Sequence, residues 1–347
     1  MVGSGTGDER QAGRFESPEQ SVQPGTGFGL REIAEIKAFH DAALTEMRSF
    51  VIGNEQLIEM ILVALLCESH ILIEGVPGTA KTTIAKLMAR LTGCAFSRVQ
   101  AAVDIQPADI IGVRIYHPER KEFEFRRGPL FTNILMIDEI NRFSPKTQSA
   151  FIEAMSERQV TVDGTTYALD SPFSVIATQN PHEMEGTFPL IEVQRDRFML
   201  GLRSGYMDPE SELEIIRRMG EGKLEFSAKY DAMDPVLDRD SLLRASEMVK
   251  QVYLGDLVQR YIRDLIIATR RHADVELGAS SRASLAFVRG GRAVAGLRGR
   301  KYVIPDDIKA LAHEVLDHRL ILNREAEIGG VTSVQVVDEI LGTVEVP

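Results

Sequence analysis

Apolar positions along this chain keep changing their spacing up to about residue 204 and keep one spacing after it. From Arg31 to Phe50, Ile33, Ile36, Phe39 and Leu44 fall on one helical face. The pattern breaks at Val51-Ile52-Gly53-Asn54-Glu55 and resumes as a second apolar helix through Cys67. A short apolar run, Ile71–Ile73, reads as a strand, and helical spacing returns from Lys81 to about Leu91. Phe96–Val99 reads as a further short strand. Val113–Tyr116 and Glu122–Phe125 alternate apolar and polar around His117-Pro118-Glu119-Arg120, the pattern of a β-hairpin. Asn133–Ile137 is almost continuously apolar, as befits a strand covered on both faces. Pro145–Glu157 is helical. Gln159–Tyr167 predicts a second hairpin around Asp163-Gly164, a type I′ turn signal. Phe173–Thr178 and Phe198–Leu202 complete the set of buried strands.

Beyond Leu202 only helical spacing is found, over 208–219, 239–253, 256–272, 281–297 and 305–318. Pro305 followed by Asp306 and Asp307 suits a helix start, with proline in the first turn and acids near the positive dipole end. The chain therefore divides into an α/β domain over 31–204 and an all-helical domain over 205–347 that carries a C-terminal extension. Residues 1–30 are rich in Gly, Ser, Pro and Gln and read as a disordered tail.

Composition narrows the choices. The longest strongly apolar run, Met60–Cys67, is too short to span a bilayer, and the N-terminus lacks a signal-peptide core, so cytoplasmic residence is expected. Cys67 and Cys94 lie in apolar helical surroundings and read as reduced core thiols. A formal net charge of −11 gives no general attraction to nucleic acid or anionic membrane. Arg289, Arg292, Arg298, Arg300 and Lys301 form a basic stretch that reads as a solvated face. His313 and His318, five apart, do not share a helical face for one metal.

The candidate chemistry starts at Gly75-Val76-Pro77-Gly78-Thr79-Ala80-Lys81-Thr82-Thr83, between strand and helix. Such a loop cradles phosphates on backbone N–H groups, its lysine reaches the β/γ oxygens, and its hydroxyl ligates Mg²⁺. Ala80 stands where the pattern asks for glycine, which raises the question whether its φ is positive. Asp138-Glu139 ends a buried strand: Asp138 can hold Mg²⁺ and Glu139 can polarise the attacking water. Asn180, in Ala177-Thr178-Gln179-Asn180-Pro181, can orient that water or merely form a turn. An arginine of Arg195-Asp196-Arg197-Phe198 can reach a neighbouring subunit's γ-phosphate, or sit in a surface ion pair with Asp196. Arg282 can lean over the same chain's nucleotide from the start of a helix, where the dipole disfavours a cation.

In this order the motifs resemble the AAA+ ATPases, and within them the MoxR family, over roughly residues 31 to 320. Gly75–Thr82 is similar to a Walker A loop and Ile134–Glu139 to a Walker B strand; Asn180 matches a sensor 1, Arg197 an arginine finger and Arg282 a sensor 2. Gly128-Pro129-Leu130-Phe131, Asp138-Glu139-Ile140-Asn141-Arg142 and Glu153-Ala154-Met155-Ser156-Glu157-Arg158 are family-like strings, and the hairpins fall where this clade carries its inserts. The resemblance implies a P-loop core with a helical lid. It also implies a ring, expected to be hexameric, that hydrolyses ATP with Mg²⁺ at subunit interfaces and remodels a protein client, often with a von Willebrand factor A domain partner. Gly53 and Asn54 join the nucleotide-binding residues on this reading. The alternatives are a ring motor acting on nucleic acid, with Arg120 and Lys121 at a hairpin tip, and an ATP-bound scaffold with little turnover.

Overall fold

The computed structural model describes residues 29–76, 78–180, 186–221, 230 and 235–347. Of the tail assigned to 1–30, residues 1–28 lie outside these, as does Pro77; Leu30 already begins the first helix, α1 (Leu30–Phe50). Helix α2 (Glu55–Leu66) follows, then strand β1 (Ile71–Gly75), helix α3 (Lys81–Leu91) and strand β2 (Phe96–Gln100). A short helix not expected from the apolar spacing, α4 (Pro107–Ile111), leads into the hairpin β3 (Gly112–His117) and β4 (Glu122–Arg127). Strand β5 (Ile134–Asp138), helix α5 (Pro145–Glu157), the hairpin β6 (Gln159–Val162) and β7 (Thr165–Ala168), and strands β8 (Ser174–Gln179) and β9 (Leu200–Ser204) complete this half. Asp163 and Gly164 both have positive φ, 48° and 77°, as the type I′ turn requires.

The five core strands are parallel in the order β2-β5-β8-β1-β9. Their register sets Gln100 beside Asp138, Glu74 beside Gln179 and Gly75 beside Ser204, so the carboxyl ends share one edge. Ligands of open α/β sheets bind at that edge. One face of the sheet packs on α1, α2, α3 and the second half of the chain in a single apolar cluster, with Ile36, Ile61, Met88, Phe287, Leu311 and Leu316 buried together. The other face packs on α4, α5 and the loops through Ile110, Phe143, Phe151, Phe173 and Phe198. The two halves of the sequence thus share one core.

Among the described residues the second half departs from the all-helical expectation where Val275–Leu277 pairs antiparallel with Ile321–Leu322 and where Tyr253 bridges Tyr302. The helix expected over 239–253 ends at Val249, because Tyr253 leaves it to exchange backbone hydrogen bonds with Lys301 and Val303. The helix expected over 305–318 is two short ones, Pro305–Lys309 and Ala312–Leu316. Of the expected solvated face, Arg300 is drawn in against the fully buried Asp307, and Arg298 pairs with the same carboxylate while staying exposed. Cys67 and Cys94 are free and buried, and burial pushes the Cys67 thiol up to about 12. Among the described residues no helix is long and apolar enough to cross a membrane.

Candidate nucleotide-binding site

The carboxyl edge of the sheet opens into a cavity of about 510 Å³ lined by Gly75, Gly78–Thr83, Asp138, Glu139, Thr178, Gln179 and Asn180, with Arg98 and Gln100. The loop is held tightly against β9. A Cβ on Gly75 would sit 2.0 Å from the Ser204 carbonyl oxygen, so only glycine permits this approach. Thr79 Oγ1 lies 3.0 Å from Ser204 Oγ. Ala80 answers the question its sequence raised: φ is 59° and ψ 14°, a left-handed conformation that costs an L-residue about 1–2 kcal/mol. Lys81 is buried, and its Nζ donates to Val76 O at 2.5 Å and to Thr79 Oγ1 at 2.8 Å. Burial lowers its pKa, opposed by the charge of Asp138.

Thr82 Oγ1 donates to Asp138 Oδ1 at 3.2 Å, bringing together the two oxygens expected to hold a metal. These are hard donors, and two of them suit Mg²⁺, which keeps several waters and takes its remaining ligands from phosphates. The residues present therefore fit the ion. Glu139 stands next to them in a left-handed conformation, φ 60° and ψ 52°, held by its own N–H donating to Thr178 Oγ1 at 3.0 Å. Non-glycine residues kept in that region concentrate at functional sites. Its carboxylate accepts from Gln100 Nε2 at 3.2 Å, while Arg142 Nε lies 2.8 Å away as an ion pair without hydrogen-bond alignment.

Gly53 and Asn54 line a neighbouring hollow of about 200 Å³ together with Leu57, Tyr206, Asp208 and Ser211, and with Ser204, which contacts Thr79 of the loop. Asn54 Nδ2 is buried with no hydrogen-bond partner among the described residues. The arginines lie elsewhere. Arg197 and Arg282 line a separate hollow of about 290 Å³ with Arg158, Arg289 and Arg319. Arg282 does not reach over its own chain's loop, contrary to expectation; its Nη1 lies 3.6 Å from Asp196 Oδ2. Arg282 is not among the residues lining the phosphate-loop cavity. Arg197 Nη1 donates to Ser156 Oγ and to Ile152 O at 3.5 Å. Arg195 is not among the residues lining this hollow, and its Nε is buried without a partner among the described residues.

Comparison with known proteins decides what this arrangement belongs to. Residues 70–200 match the profile of the ATPase family associated with various cellular activities (AAA), and residues 267–340 match an AAA lid domain. A Mycobacterium tuberculosis protein named Chaperone MoxR1 is 40% identical over 350 residues, covering 98% of this chain and 90% of its own length. The chain belongs to the MoxR family of AAA+ ATPases. A Bacillus subtilis relative, the uncharacterized protein YeaC, is 42% identical over 305 residues, which cover 88% of this chain and 94% of that one. A crystal structure of a candidate ATPase from Cytophaga hutchinsonii superposes with a TM-score of 0.84 at 36% identity, covering 91% of this chain and 97% of that one. The lid match extends to residue 340, past the limit near 320 that the motifs had suggested.

As a MoxR-family site, the cavity holds residues that motif reading passed over. Arg98 Nε donates to Asp138 Oδ2 at 2.6 Å, leaving Oδ1 for Thr82. Gln100 reaches Glu139 from the same strand. Both are polar residues near the end of a strand read only as Phe96–Val99, and polar side chains at a strand's carboxyl end were the available signal. Ser204 and Arg319 had no local signal, because their roles come from segments far away in sequence, and Asp196, read as an ion-pair partner for its neighbours, pairs instead with the distant Arg282 and Arg319.

Proposed function

We propose that this MoxR-family chain hydrolyses ATP with Mg²⁺ as a ring and uses the hydrolysis to remodel protein clients. The observation that carries the reading is the separation of the two hollows. Lys81, Thr82, Asp138 and Glu139 line one, and Arg197 and Arg282 line the other. None of the described lid residues lines the phosphate-loop cavity, which favours a second copy as the source of transition-state cations. On this reading Arg282 acts on the neighbour's nucleotide together with Arg197. Asn54 contacts the base, and Lys81 exchanges Val76 O for phosphate oxygens. Thr82 and Asp138 hold the metal, which supplies charge neutralisation at the β/γ oxygens. Glu139 accepts the proton of the attacking water, which Asn180 helps to orient.

A hexamer is the expected ring, and a protein with a von Willebrand factor A domain the expected partner, both by family likeness. A protein client is favoured over nucleic acid by the exposed apolar residues of the β3–β4 hairpin, Val113, Tyr116 and Phe123. The test is Glu139→Gln, which should keep ATP affinity and lose turnover by roughly a hundredfold or more. Near wild-type turnover would refute Glu139 as the base.

A further inference from the structure

One carboxylate ties the lid to the segment that carries Arg197. Asp196 Oδ1 accepts from Arg319 Nε at 2.9 Å, and Asp196 Oδ2 accepts from Ser280 Oγ at 2.8 Å. Ser280 caps the helix Ser281–Leu297, whose first turn bears Arg282. The same Oδ2 is the oxygen paired with Arg282. Arg319 is committed to this contact: its side chain is 2% exposed. Its Nη1 donates to Met199 O at 3.1 Å and Val315 O at 2.5 Å, and its Nη2 to Phe198 O at 2.6 Å. Burial lowers the pKa of Arg319, and Asp196 opposes that shift. The lid therefore grips Asp196 on one side of Arg197 and the carbonyls of Phe198 and Met199 on the other.

We propose that Asp196 is a positioning residue. With Arg319 as its buried counter-ion it joins the lid to the finger segment as one unit, and so fixes Arg197 and Arg282 relative to each other as they meet the next subunit's γ-phosphate. This rests on the reading that both arginines act in trans. Without the carboxylate, Arg282 loses its ion pair, Ser280 loses its acceptor and Arg319 keeps an uncompensated buried charge. A misplacement of about 1 Å at such a site costs roughly a hundredfold in rate.

The test uses the full chain. Asp196→Asn preserves shape and one acceptor for Arg319 Nε while removing the charge, and is preferred to alanine, which leaves an unfilled buried site. Asp196→Asn should lower kcat roughly a hundredfold with KM for Mg-ATP nearly unchanged. It should then regain turnover when mixed with Glu139→Gln, whose intact arginines complete the Asp196→Asn subunit's loop site. A mixture of Arg197→Ala with Glu139→Gln is the control. Recovery in both mixtures is the expected result. Recovery in the control alone would mean that Asp196 only maintains structure, and wild-type kcat in Asp196→Asn would overturn the idea directly. Recovery in neither would overturn the shared-site reading, and the positioning role with it.

Discussion

At the scale of single residues, two side chains hold conformations or charge states that can be measured. Ala80 pays a left-handed backbone cost that glycine would not. Ala80→Gly should therefore stabilise the loop by about 1 kcal/mol, less the unfolded-state entropy of glycine, and tighten ATP binding several-fold; isothermal titration with a non-hydrolysable analogue checks this. His70 is wholly buried. Its Nδ1 accepts from Val175 N–H at 3.0 Å and its Nε2 lies 3.1 Å from Met155 O, so the neutral ring with hydrogen on Nε2 satisfies both. Burial takes its pKa from the ordinary 6.5 down to about 4. Because the folded value is depressed, its contribution is fully present above pH 6.5 and is lost as pH falls toward 4. Up to roughly 3 kcal/mol is at stake. Urea unfolding at pH 7.5 and pH 5 should show the loss, and His70→Gln should flatten the slope.

Among elements, the two hairpins are the parts that alternation made plain and that packing then joined. Phe125 of β4 stacks on Tyr167 of β7 with ring centroids 4.3 Å apart, and Phe131 meets both edge-on. Tyr167→Ala should cost about 1 kcal/mol of pair energy beyond lost burial and speed amide exchange in β3–β4, which hydrogen-exchange mass spectrometry would register. No change in that hairpin would mean that the inserts move independently. The strands β5 and β8 were legible because burial on both faces demands unbroken apolar runs. The break within 305–318 was not, because its periodicity continues across the join. Leu311, in the join, packs against Gly290, where a Cβ would sit 2.9 Å from Leu311 Cδ1.

For the whole molecule, the decisive feature is a cluster of five arginines in a hollow distinct from the phosphate loop, on a chain whose net charge is −11. Turnover per subunit should rise with protein concentration as copies associate. Arg197→Ala should bind ATP as the wild type does yet lose roughly a hundredfold in rate. Light scattering paired with steady-state kinetics reads both, and concentration-independent turnover by a monomer would refute the shared site.

By itself the sequence determined the strand–loop–helix unit, the buried strands ending in Asp138-Glu139 and Asn180, and the helical second half. Each of these is local: apolar periodicity follows burial, and phosphate loops need fixed spacing. Tertiary structure alone decided that Ala80 is left-handed and that Arg98 and Gln100 engage the acidic pair. It also set Arg282 beside Arg197 in one hollow instead of over its own loop, and drew Arg300 in against the buried Asp307. These outcomes depend on which distant segments share a core, and the joint packing of α1, the sheet and the lid helices fixes that only when the whole chain is folded.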